Sequence, residues 1–199
     1  MNSFMKSSLV NYFVKFFGSF IIFFYGTEAL IGITAPGGLY VGFIDNYLNY
    51  INWLRSSLMH ATAGVVSLFG YHAFLENAYV LRLTEGGAIK MVYSCIGYGV
   101  MSFWGAFIFA NKLEFWKKMQ WMAGGLLAIW IVNVARVALM VIAISHRWTS
   151  PFDLNNHTLF NIAAYSVIFT MIFLFDRSQK KRLQVTPQSN TVRNMMNIE

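Results

Sequence analysis

A chain of 199 residues fits a single domain, but 57% hydrophobic, 18% aromatic and only 12% charged residues exclude an ordinary water-soluble one. With 19 phenylalanines there is more apolar surface than so small a domain can hide from water, so lipid must cover part of it. The net charge of +7 does not point to nucleic acid, because the basic residues cluster at the ends of apolar stretches, where cytoplasmic loops meet anionic headgroups.

Taken along the chain, the pattern predicts an all-α membrane protein with about four transmembrane helices, an external amphipathic helix and a short β-hairpin. The first span covers about residues 16–35 and is closed by Pro36-Gly37-Gly38. Lys15 interrupts the early apolar run and no small-residue cleavage pattern follows, so this segment reads as a retained span. Residues 46–72 are long enough to cross but amphipathic. Tyr47, Tyr50, Ile51, Leu54, Leu58, Ala61 and Val65 share one helical face. Asn49, Asn52, Ser56 and His60 share the other, with Arg55 at the border.

Leu81 and Leu83 then alternate with Arg82 and Thr84; after Gly86-Gly87, Ile89, Met91 and Tyr93 alternate with Lys90 and Ser94. Two such runs about a Gly-Gly turn predict a hairpin. The second span runs from near Cys95 to near Asn111, the third from about Met119 to Ser145, and the fourth from about His157 to Phe175. Residues 177–199 are polar and aperiodic and read as a disordered cytoplasmic tail.

Charge sets the topology. Lys112, Lys117 and Lys118 place the loop between the second and third spans in the cytoplasm, and Arg177, Lys180, Lys181 and Arg182 place the tail there too. Lys6 and Lys15 favour a cytoplasmic N-terminus, residues 1–15. The chain then stays outside from the end of the first span to Cys95, and a crossing at 46–72 would break this parity. The expected location is the cell (inner or cytoplasmic) membrane, multi-pass, with the chemistry on the external or periplasmic side.

Three polar residues fall on that side. Arg136, in Asn133-Val-Ala-Arg136, interrupts the third span, where an arginine costs about 2.5–3.5 kcal/mol on insertion scales and usually faces the bundle interior. Asn133 shares its helical face. Cys95, in Ser94-Cys95-Ile96-Gly97, opens the second span, where a helix dipole favours the nucleophilic thiolate. His157 heads the fourth span and has the chemistry of a proton acceptor and donor. Each alone reads as a structural residue: a snorkelling arginine, a small apolar filler, a headgroup-level histidine. Together a thiol, an imidazole and a guanidinium supply nucleophile, base and oxyanion partner for acyl transfer. His60, His72 and His146 lack a supporting pattern and read as surface residues. No cysteine framework and no ligand cluster with metal spacing is visible, so no metal or other cofactor is expected.

In this order, Cys95-Ile96-Gly97 after a hairpin, Asn133-Val-Ala-Arg136 in the next span and His157 at the head of the last resemble the exosortase/archaeosortase family. The likeness covers roughly residues 40–176, and the short length resembles its compact members. The resemblance implies an exosortase-like transmembrane domain over 16–176 and a membrane-embedded cysteine protease or transpeptidase. Its substrates would be exported proteins carrying a C-terminal motif, a hydrophobic helix and a basic tail. It also implies Cys95 as nucleophile, Arg136 as stabiliser of the intermediate and His157 as acid and base. One departure is Ile96, where the family often has Ser or Ala after the cysteine. The competing reading is a non-catalytic membrane assembly factor or transporter component in which Arg136 binds an anionic group.

Overall fold

The computed structural model describes residues 3–35, 39–146, 158, 162 and 165–179. The chain divides into two compact units, Met1–Phe160 and Asn161–Glu199. In the second, residues 165–179 are helical, within the fourth span expected from the sequence and its tail boundary. The expected head of that span, His157, lies outside the described residues, as do Pro36-Gly37-Gly38 and the tail beyond 179.

Among the described residues, the first unit has five α-helices and a small sheet: α1 (Ser3–Thr34), α2 (Gly42–Tyr47), α3 (Tyr50–Leu68), β1 (Ala73–Asn77), β2 (Val80–Leu83), β3 (Ala88–Lys90), a 3-10 turn (Tyr93–Cys95), α4 (Tyr98–Ala110) and α5 (Phe115–Ser145). Two of its helices are long and apolar enough to cross a membrane, Leu9–Thr34 within α1 and the whole of α5. The expected second span is shorter than foreseen. A 13-residue α4 rises about 20 Å, less than the roughly 30 Å of a bilayer core. Gly97 in a left-handed conformation starts it late, and the extended backbone at Asn111 ends it. The four-span count is therefore not reached by the helices of this unit together with the described part of the second.

The two long helices show how apolar sequence is satisfied without water. On α1 the hydroxyls of Ser19, Thr27 and Thr34 donate to carbonyls four residues back, which removes their polar cost inside an apolar helix. Phe16, Phe20 and Phe24 lie along one face of α1 and meet Phe103 and Tyr98 of α4. Val10, Val14, Phe17, Ile21 and Ile22 are exposed, as lipid contact requires. Against α5, the fully buried Trp104 of α4 donates its indole N–H to the Trp121 carbonyl at 3.1 Å. Gly125 makes room for that ring, since a Cβ there would stand 1.9 Å from Trp104 Nε1.

The expected hairpin is part of a three-stranded antiparallel sheet in the order β1-β2-β3. Gly86 and Gly87 both take positive φ between β2 and β3, as the Gly-Gly turn predicts. The strand β1 was not foreseen, and β3 is shorter than the alternation suggested. After Lys90 the chain leaves the sheet, and Tyr93, Ser94 and Cys95 form the 3-10 turn instead. Leu81 and Leu83 face the core and Arg82 pairs with Glu76 outside.

The amphipathic segment is helical as expected, but its inward face is rotated. Ile51, Arg55, Leu58, Met59, Thr62 and Val66 are buried, whereas Tyr47 and Tyr50 are exposed. Arg55 is not a border residue. It is 4% exposed, because aromatic rings from the sheet and the 3-10 turn accept it on the face that packs inward.

Candidate active site

Gly97 decides how the Cys95 segment meets the bundle. Its φ of +85° is a conformation that side chains resist, and a Cβ there would sit 3.2 Å from Asn133 Nδ2. The bend lets the last carbonyls of the turn point at α5. Asn133, 5% exposed, answers with both amide protons, donating to the Cys95 carbonyl at 3.0 Å and the Ile96 carbonyl at 2.8 Å. Ile96 is fully buried, so the side chain directly after the cysteine anchors the turn in the core.

One turn further along α5, Arg136 donates from Nη1 to Asn133 Oδ1 at 3.4 Å. The three bonds together fix the amide orientation: both protons go to carbonyls of the Cys95 turn and the oxygen faces the guanidinium. Arg136 is half-buried, and its Nε is shielded from water with no hydrogen-bond partner among the described residues. A buried donor without an acceptor is costly unless a ligand or a reacting oxygen uses it.

Two of the three sequence-predicted residues therefore meet on one side chain, Cys95 through its main chain and Arg136 through its guanidinium. His157 lies outside the described residues. Cys95 itself is half-buried, and its position needs one correction. It does not open α4 but ends the separate 3-10 turn, with its N–H donated to the Val92 carbonyl at 2.9 Å. The dipole of α4 begins at Tyr98 and cannot be assigned to the thiol. Among the described residues, no group of His, Cys, Asp and Glu is arranged to hold a metal ion.

Two residues near the turn escaped sequence reasoning as parts of the site. Asn133 was visible only as a neighbour of Arg136, and its role as a clamp needs the contact between α4 and α5. Arg55 was assigned to a helix border. Its guanidinium carbon stands 4.9 Å from the centre of the Tyr93 ring, two residues before Cys95, and 4.3 Å from that of Tyr79. The other histidines have local partners. His60 Nδ1 bonds the Ser56 carbonyl, His72 contacts Glu85, and His146 Nε2 meets the Tyr71 hydroxyl at 2.6 Å.

Comparison with known proteins agrees with one family. The model of the transmembrane exosortases matches residues 3–174, which takes in both long helices, the sheet and all three predicted site residues. No curated protein and no solved structure matches the chain.

Proposed function

From the premise that this chain belongs to the transmembrane exosortase family, we propose that it is a membrane-embedded cysteine transpeptidase or protease acting on the exported side of a cytoplasmic membrane. The observation that carries the reading is the Asn133 amide, which holds the Cys95 turn and the Arg136 guanidinium within one side chain of each other.

Depth in the membrane supports it. Lys117 and Lys118 anchor the start of α5 at the cytoplasmic boundary. Arg136 lies 18 residues beyond Lys118, about 27 Å along the helix, close to the far edge of a core roughly 30 Å thick. A guanidinium there reaches the outer headgroups and water.

The chemistry then runs in two stages. The Cys95 sulfur attacks the scissile carbonyl carbon while its proton passes to the base, for which the family resemblance nominates His157. The carbonyl oxygen becomes an oxyanion that faces Arg136, whose Nε–H, without a partner among the described residues, is the donor such an oxygen needs. Collapse breaks the C–N bond, the imidazolium returns the proton to the departing amine, and a thioester remains on Cys95. Water or an amine then attacks the thioester and restores the thiol. The substrate would be an exported protein with a C-terminal motif, hydrophobic helix and basic tail, delivered laterally from lipid.

The test co-expresses this chain with a single-span exported protein of that architecture. The wild type removes the C-terminal segment, and Cys95→Ala leaves the substrate full-length while remaining membrane-inserted. Equal processing by the Cys95→Ala variant would end the enzyme reading in favour of an anion-binding role for Arg136.

A further inference from the structure

A carboxyl inside an apolar span is costly, and one that persists there marks a functional site by default. Glu28 is such a residue. It lies within Leu9–Thr34, 13 residues beyond Lys15, which is about 20 Å along the helix and so in the external half. The protein leaves it exposed, and it enters no ion pair among the described residues. Its side-chain partner there is neutral, the Tyr98 hydroxyl, which donates to Glu28 Oε1.

Tyr98 ties this carboxyl to two other features. It opens α4 directly after Gly97, and Cys95 and Tyr98 pack on the same core as Leu30 and Ile31 of α1. It also lines a cavity of about 670 Å³ walled by α1, α3, α4 and α5. Phe23, Leu54, Met101, Met122 and Leu126 make that cavity largely apolar. Two hydroxyls in its wall are already engaged. Thr27 bonds the Phe23 carbonyl and the Tyr50 hydroxyl, and Ser57 bonds the Leu54 carbonyl and the Trp130 indole. A carboxyl and an aromatic ring beside apolar room complement an ammonium group on a hydrocarbon chain. An anionic headgroup would be repelled, and a neutral chain would leave Glu28 without a counter-charge.

We propose that Glu28 and Tyr98 form the acyl-acceptor subsite, which takes a primary ammonium group carried on an apolar chain, with the chain lying in the cavity. The proposal rests on the peptidase reading above and deepens it, because it makes the second substrate an amine rather than water. The ammonium gives one proton to the Glu28 carboxylate, and the freed lone pair attacks the thioester carbon on Cys95. A C–N bond forms, the C–S bond breaks, and a second proton passes from nitrogen to the leaving sulfur. Glu28 then releases its proton to water.

The first measurement separates binding from chemistry. Full-length protein carrying Cys95→Ala is placed in phosphatidylcholine nanodiscs and titrated with ω-bromododecylamine or ω-bromododecanol, whose bromine quenches nearby tryptophan. Trp53 lines the cavity, and a Trp53→Phe variant identifies its share of the quenching. A charge-assisted contact predicts about tenfold tighter binding of the amine. Glu28→Gln removes that preference and leaves alcohol binding unchanged. Competition by phosphatidylethanolamine but not by free ethanolamine assigns the ammonium to a membrane lipid, and the converse assigns it to a soluble amine; both uphold the site. Equal binding of amine and alcohol overturns the proposal, as does a preference that survives Glu28→Gln. Loss of both probes in Glu28→Gln makes the carboxyl structural and also overturns it.

The second measurement uses the active protein co-expressed with its single-span substrate. Glu28→Gln is expected to release the C-terminal segment yet accumulate the remaining protein on Cys95 as a hydroxylamine-labile thioester, a signature that a merely structural residue would not give. Full turnover without that adduct defeats the subsite alone, as does loss of all processing in a membrane-inserted Glu28→Gln protein that carries no adduct. Equal processing by Cys95→Ala, with the amine preference intact, defeats the peptidase reading alone.

Discussion

Arg136 and Arg55 approach the Cys95 turn from different helices, and the protein seats them by different means. Arg136 rises from a long apolar helix and leans on a buried amide, Asn133, which passes the connection to the carbonyls of Cys95 and Ile96. Arg55 rises from a short amphipathic helix and is sandwiched by the rings of Tyr79 and Tyr93. The first arrangement is directional. Its bonds fix one geometry, and Nε has no partner among the described residues. The second is broad, since a ring face attracts a cation without specifying its rotation. A group that must face a developing oxyanion suits the directional seat.

The sharpest way to break that contrast is to remove the directional seat. Asn133→Leu keeps volume but deprives two carbonyls of their donors and Arg136 of its acceptor. Leaving the two carbonyls unpaired costs about 1–3 kcal/mol each, so a loss of roughly 2–6 kcal/mol in unfolding free energy is expected. Processing should fall to the level of Cys95→Ala. Denaturant unfolding in detergent micelles and the co-expression assay measure the two effects. A variant as stable and as active as wild type would show that the amide is a bystander.

Gly97→Ala attacks the same seat from the other partner. The substitution forces an alanine into φ +85° and brings its Cβ to 3.2 Å from Asn133 Nδ2. The conformational cost is about 1–2 kcal/mol. Relaxation away from that strain turns the Cys95 and Ile96 carbonyls off the amide. Activity should drop more than stability does, because the turn moves while the core around Ile96 persists. The ratio of processing rate to unfolding midpoint distinguishes this from a general loss of fold.

The two arginines also differ in how far sequence discloses them. Arg136 is conspicuous because it interrupts an apolar run, and its distance from the basic loop gives its depth without coordinates. Cys95 and Gly97 stand out by residue type and order. Arg55 is concealed because it sits among Asn52, Ser56 and His60, where a charge looks solvated. Only the packing of Tyr79 and Tyr93 shows otherwise, and both rings come from segments distant in sequence. The same limit explains β1, whose short run carries no turn signal comparable to Gly86-Gly87. It explains α4 too, because hydropathy measures an apolar stretch but not the left-handed bend that delays its helix. Local periodicity reads elements; it does not read which residues a neighbouring element will accept.

The smallest expected effect tests whether the Arg55 side of this comparison is insulated from the rim of the sheet. At that rim the Glu85 carboxylate accepts the His72 backbone N–H at 3.1 Å and lies 3.1 Å from its ring nitrogen. These bonds, the His72 main-chain one first, hold the carboxyl below its ordinary range. A carboxyl whose folded pKa is depressed adds stability above its unfolded pKa, near 4.3, and loses it as pH falls through the folded value. Protection of the His72 amide against hydrogen exchange, corrected for intrinsic rate, should be flat from pH 7 to about 5 and decline below about 4. In Glu85→Gln it should be lower and independent of pH. Because the carboxylate is exposed, the change stays local. The amides of Tyr79 and Tyr93 should keep their protection throughout. If acid loosens them in step with His72, the sheet moves as one body and the seat of Arg55 depends on its far edge.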